Sequence, residues 1–288
     1  MAVPEDIALA AHRGDVDTVR GFLDQHPESV DQPDVIDDLD APMNLMQIAV
    51  RLALEPDTRG KTRDLVELLL SYGAKVNLRR RPAFDSPTPL HEACLISCPD
   101  AVGMLLRAGA DVNLICRGPA GDFPASHPLS ILCGDNWRHF ASRTGRSEEE
   151  HLRCMYECVQ LLLRAGHPLE MLHMGMESIS VEDVLDPIAF GATSYTGDAS
   201  YPFDAIDLAR AVRAAQLTST STRLTPWQKY CLLPPKELLR LRSLVARGRA
   251  RERRRLRSKT PREISLLFAP SFPNELFWRV MAFWNPRH

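Results

Sequence analysis

Long apolar runs are missing from this 288-residue sequence. None approaches the roughly 18 to 20 residues that cross a bilayer as a helix, so a helical membrane span is excluded. Lysine is scarce: only five of the 35 basic residues are Lys, and Arg carries nearly all the positive charge. Aromatic residues make up only 7%. No Gly-rich phosphate loop, no H-E-x-x-H pair and no G-x-S-x-G elbow occurs, which removes three familiar routes to an enzyme. The opening stretch, Met1 to Leu9, carries Glu5 and Asp6 and lacks the basic-then-apolar order of a secretion leader. The expectation is a cytoplasmic or nuclear monomer that is not an enzyme, holds no cofactor or metal, and has another protein as partner rather than a membrane.

Seven cysteines are present: Cys94, Cys98, Cys116, Cys133, Cys154, Cys158 and Cys231. An odd number without a leader reads as reduced thiols, several of them small hydrophobes inside apolar stretches. His151, Cys154 and Cys158 share one helical face, but their spacing is not that of a zinc site, and they read as core. With 44% hydrophobic residues the chain can bury a sizeable core in one or two domains. Charge is uneven. Between Lys236 and Arg262 lie twelve basic residues and two acidic ones, while the chain as a whole carries -2. The tail is thus a separate region.

A repeated pattern dominates the first 60% of the chain. Its clearest copy is Asp85 to Asn113, DSPTPLHEACLISCPDAVGMLLRAGADVN. Thr88 suits a helix cap, and Pro89 suits the first helical position because no N–H is needed there. Leu90, Ala93 and Cys94 fall on one face of a first helix, and Val102, Leu105 and Leu106 on one face of a second. Gly109 follows as a stop with positive φ. Other copies share the register. Asp6 to Leu23 keeps Gly14 between its helices. A second copy opens at Leu45 and ends at Gly73, with about eight extra residues near Leu54 to Lys61. A fourth opens at His127 and ends at Gly166. Gly73 to Gly109 spans 36 residues and Gly109 to Gly166 spans 57. Against a period of roughly 33, the last step holds an insertion, mostly Gly134 to Glu150.

This pattern resembles the ankyrin repeat, with Thr88-Pro89-Leu90-His91 as its opening tetrapeptide. The resemblance implies an all-α ankyrin-repeat solenoid of four or five repeats. It implies protein recognition by a concave face and by hairpin fingers between repeats, and a structural hydrogen-bonding role for His91. Ser97 stands where the family places glycine, so the turn there is strained or differently shaped. The expected division is a repeat domain over 1–172, a degenerate repeat or linker with one helix over 173–224, and a C-terminal helical module over 225–288.

Candidate partner contacts lie on the long fingers: Arg80, Phe84 and Asp85 on one, Arg117 and Phe123 on the next. Arg beside an aromatic is the composition of interface anchors. Phe84 and Phe123 either grip a partner or pack on neighbouring fingers. Trp137, in the insertion, is a further candidate, although folding back onto its own repeat is the simpler reading. The acidic stretch Asp31 to Asp40 reads as a solvated loop.

Beyond Glu170 the pattern fades. Phe203 to Leu217 reads as an amphipathic helix. Near the C-terminus Pro273-Asn274-Glu275-Leu276-Phe277-Trp278-Arg279-Val280 is similar to the opening of an F-box, and Leu238 to Phe268 faintly resembles a SOCS box. Both would make the tail a ubiquitin-ligase adaptor site through Leu276, Phe277 and Val280, although the segment is too short for a whole F-box. The Arg-rich run Arg247 to Arg257 reads first as a solvated helix face, then as an import signal, and last as a nucleic-acid contact, because no aromatics interleave it.

Overall fold

The computed structural model describes residues 2–33, 43–79, 86–116, 126–133, 143–171, 179–181, 209–214 and 216. The chain divides into two compact units, Met1–Arg210 and Ala211–His288. In the first, eight α-helices form four pairs among the described residues. They are α1 (Glu5–His12), α2 (Val16–Gln25), α3 (Leu45–Arg51), α4 (Arg59–Ser71), α5 (Pro89–Leu95), α6 (Pro99–Arg107), α7 (Pro128–Leu132) and α8 (Glu148–Arg164). One short antiparallel pair follows, β1 (Glu170–Met171) with β2 (Ile179–Ser180). In the second unit, residues 211–214 and 216 are helical. Within the stretch Phe203 to Leu217, the described residues are helical and Ala209 and Val212 are buried. Leu276, Phe277, Val280 and the Arg-rich run lie outside the described residues.

Four of the eight helices, α2, α3, α5 and α8, begin at a side-chain cap, and α5, α6 and α7 open with Pro at the first position. Asp15 accepts the Thr18 N–H at 3.1 Å. Asn44 and Gln47 exchange capping bonds of 2.9 and 3.3 Å, and Ser147 and Glu150 do the same at 3.2 and 3.1 Å. These satisfy amides that the helix itself leaves unpaired. Four helices, α1, α4, α6 and α8, stop in one way. At Gly14, Gly73, Gly109 and Gly166 the glycine N–H donates to the carbonyl three residues back. The next N–H donates to the carbonyl five back. All four glycines have positive φ, which a side chain resists.

The turn at Ser97 makes the same pair of bonds, Ser97 N–H to the Cys94 carbonyl and Cys98 N–H to the Ala93 carbonyl, with φ 52. The turn therefore keeps the glycine shape and carries the strain of a β-carbon in it. It is held in place from outside: Arg146 Nη1 donates to the carbonyls of Ile96 and Ser97 at 3.2 and 2.8 Å.

Pairs stack in chain order. The first helices touch as α1–α3–α5–α7, the second helices as α2–α4–α6–α8, and each first helix touches its own second helix. One apolar interior runs between the two layers. Leu23, Leu45, Leu65, Leu69, Leu90, Val102, Leu105, Leu129, Leu162 and Leu163 are almost wholly buried in it. Leu106 is half-buried rather than fully inward. No pair has enough apolar surface to close a core alone, so the stack is what stabilises each member.

The two insertions have shapes the spacing left open. The one in the second pair becomes a short 3-10 turn, Leu52–Leu54, and a longer α4. The one in the fourth pair yields its last residues, Glu148 to Glu150, to the start of α8. The insertions also meet. Arg59 Nη2 donates to the Thr144 carbonyl, and Pro56 lies against Gly145. Residues 144–147 thereby strap the third pair's turn from one side to the other.

Candidate functional site

The fingers between pairs close at measured points. Pro33 bridges Asn44, and Cys116 bridges Ser126 with two backbone bonds of 2.9 and 3.0 Å. β1 and β2 close the finger after α8. The finger after α4 is tied by Arg79, which donates to the carbonyl of Ser86 at 3.2 Å and to that of Ile115 at 2.9 Å. Each finger thus has a base that closes among the described residues. Arg80, Phe84 and Asp85, and Arg117 and Phe123, sit on the spans between these bases. They lie outside the described residues, as does Trp137.

A ladder of short polar side chains joins neighbouring fingers. Asp31 Oδ1 accepts the Lys75 N–H at 2.8 Å, and its other oxygen is 3.3 Å from Lys75 Nζ. One pair further, Asn77 Oδ1 accepts the Asp111 N–H at 2.9 Å and Asn77 Nδ2 donates to the Gly109 carbonyl at 3.3 Å. Asp31, Asn77 and Asn113 are equivalent positions, each after a valine. The next rung would need an N–H at Pro168, which has none. Asn113 instead donates to Asp111. The acidic-loop reading is therefore corrected at Asp31, which is a rung and an ion-pair partner. The other aspartates of that stretch lie outside the described residues.

Thr88, Pro89, Leu90 and His91 open α5. All four are buried. The Thr88 N–H donates to His91 Nδ1 at 3.2 Å, and the Thr88 hydroxyl lies 2.7 Å from the same nitrogen. Burial, and then the Arg79 charge, pull the imidazole pKa down to about 3, against the carbonyls of Leu114 and Ser126. A neutral, buried ring thus caps the start of α5. Gln47 occupies the same helical position in α3 and reaches the Pro87 carbonyl at 2.9 Å. The sequence offered a signal for this, since Gln three residues after Asn is a capping pair.

An ion pair joins two first helices, with Arg51 Nε 3.3 Å from Glu92 Oε2 and the Glu92 side chain 5% exposed. Ser97 Oγ lies 3.3 Å from His151 Nε2. Their relative exposures are 1% and 0%, so this hydroxyl–imidazole pair is closed to any substrate. Burial pushes the thiols of Cys94, Cys133 and Cys158 up, which suits core packing rather than nucleophilic or metal-binding thiolate. Among the described residues no cluster of three metal-ligating side chains forms, and no helix is long and apolar enough to cross a membrane.

Helix pairs stacked layer on layer, with left-handed glycine stops and hairpin fingers, define a repeat protein. The family model of the ankyrin repeat matches residues 88–117. The segment around α5 and α6 is an ankyrin repeat, the flanking pairs repeat its geometry, and the fold is all-α apart from the two-residue strands. No curated protein matches the chain. An ankyrin repeat is a protein–protein interaction module, and proteins that carry it are typically scaffolds rather than enzymes.

Proposed function

We propose that this chain is a non-enzymatic scaffold that holds a partner protein against its first-helix layer and its fingers. The observation that supports this most is the fixing of every finger base. Backbone bridges, the Arg79 clamp and the Asp31–Asn77 ladder fix the bases of four fingers. Loops tied at both ends lose less conformational freedom on binding than untied segments do. The side chains proposed to meet the partner are Arg80, Phe84, Asp85, Arg117, Phe123 and Trp137. In this reading residues 1–172 form the binding domain, 173–224 a linker, and 225–288 a helical module, and the protein is a cytoplasmic or nuclear monomer.

The test is affinity capture of the full chain from cells with quantitative mass spectrometry, beside a variant carrying Phe84→Ala and Phe123→Ala. A partner enriched by the wild type and lost with the variant supports the reading. Retention of every partner by the variant refutes finger recognition. A Leu276→Asp chain in the same experiment examines the ligase-receptor alternative, which needs a ligase adaptor to be captured and then lost. Recovery of nucleic acid that depends on Arg253, Arg254 and Arg255 would favour the third alternative.

A further inference from the structure

Three imidazoles come together where the third and fourth pairs meet their fingers. His91 lies in the first turn of α5, His127 stands at the N-cap position of α7, and His167 follows the Gly166 stop of α8. The rings of His127 and His167 meet edge to face, with centroids 5.7 Å apart. His127 is also close enough to His91 for its charge to bear on that ring. His91 and His167 are each 1% exposed, and His127 is half-buried.

The hydrogen bonds of the two buried rings require them to be neutral. His91 Nδ1 accepts the Thr88 N–H at 3.2 Å, which uses its lone pair. A proton on that nitrogen would set donor against donor at the cap of α5. His167 Nδ1 lies 2.8 Å from the Pro168 carbonyl. A carbonyl only accepts, so the proton sits on Nδ1 and the lone pair on Nε2. That Nε2 is buried with no hydrogen-bond partner among the described residues, so a second proton there would be a buried, unpaired charge.

The neighbouring charges act in the same direction. Arg79 and His127 bear on His91, and His127 on His167, each against a further positive charge. Arg51 of α3 and Glu92 of α5 are engaged with each other. On α8, His151 faces the Ser97 hydroxyl and the Arg146 charge. The buried histidines thus belong to the third and fourth pairs. Those of the first two, His12 and His26, are only half-buried.

We infer that the imidazole cluster is an acid-sensitive latch: mild acid opens the third and fourth pairs with their finger bases, while the first two pairs stay closed. A stack permits this, because each pair touches only its neighbours and one end can open alone. The inference holds whether or not the fingers meet a partner.

The test is hydrogen–deuterium exchange of the full chain, read by mass spectrometry at roughly pH 7 and 5.5 and corrected for the intrinsic rate at each pH. A ring that is neutral when closed and protonates near 6.5 when open raises the open population about tenfold over this range. Protection of the bonded amides of Cys116, Ser126, Ile131 and Val181 should therefore fall about tenfold for each ring released, and that of α2 and α4 by less than about twofold. His91→Gln with His167→Ala removes two rings and keeps shapes the chain already uses: Gln47 caps α3, and Ala74 and Ala110 follow the earlier stops. Its response should be at least about tenfold smaller. Equal loss of protection in all four pairs, or an undiminished response in the variant, would overturn the inference. Should the variant not fold, the wild-type contrast between the two halves of the stack decides the matter.

Discussion

Ser97 lets the turn chemistry be measured. Its φ of 52 puts a β-carbon where the other turns of this shape have glycine, at about 1–2 kcal/mol. Its hydroxyl lies 3.3 Å from His151 Nε2 in a buried setting, a long contact worth about 0.5–1.5 kcal/mol. Ser97→Ala removes the contact and keeps the strain, so it should lower stability by about 1 kcal/mol. Ser97→Gly removes both. Relief of strain is partly offset by the freedom that glycine adds to the unfolded chain, about 0.5–1 kcal/mol, so this variant should stay close to wild type. The expected order is glycine above alanine, by about 1 kcal/mol. The assay is urea unfolding of the full chain followed by far-UV circular dichroism. With a slope of about 1–3 kcal/mol per molar, the two midpoints should differ by about 0.3–1 M. An alanine variant as stable as the glycine variant would refute the strained-turn account. The Arg146 clamp on the same turn would then be what sets its shape.

Acid should weaken the fold before carboxylates titrate. Burial pulls His91 down to about 3 and His151 and His167 down to about 4, from 6.5. The unfolded chain takes up these protons near pH 6.5 and the folded chain does not, so stability is full above that pH and falls as pH drops toward 4. The slope is about 1.4 kcal/mol per pH unit for each ring. Urea unfolding at roughly pH 7 and 5.5 should differ by on the order of 3 kcal/mol, and a flat profile would contradict the buried neutral rings. Glycine substitutions should split by site. Gly14→Ala meets positive φ and a Lys61 Cδ 2.6 Å away, and should cost about 2 kcal/mol. Gly103→Ala, in the middle of α6, should raise the thermal midpoint, gaining up to about 1 kcal/mol. Equal shifts would undo the argument. Arg51→Ala strands the buried Glu92 carboxylate and should cost about 3 kcal/mol in the same unfolding assay; a change below about 0.5 kcal/mol would show that the pair is not structural.

Much of the stack was legible because its signals are local. Thr88-Pro89-Leu90-His91 declares a capped helix start, and Gly14, Gly73, Gly109 and Gly166 declare stops, each through backbone geometry that few other residues satisfy. Ser97 was legible as a departure for the same reason. Contacts between distant residues were not. Asp31 looked like one of five aspartates in a loop, and only the position of Lys75 makes it a rung. Arg146 and Arg59 gave no sign that two insertions, 85 residues apart at the Arg59–Thr144 bond, would strap the third pair. The stacking of His127 on His167 was equally hidden, because the two flank different helices and share no spacing.

Layer order is the claim that everything else uses, and spin-label distances report it directly. Labels would go on cysteines placed at the exposed positions Arg20, Glu67, Arg107 and Arg164 of α2, α4, α6 and α8, with Cys154 and Cys231 replaced. Neighbouring helices pack roughly 8–10 Å apart, so stacked second helices predict short distances for successive labels and about 30 Å between the first and the fourth. A distance from Arg20 to Arg164 as short as those between neighbours would mean a closed helical bundle and would contradict the account.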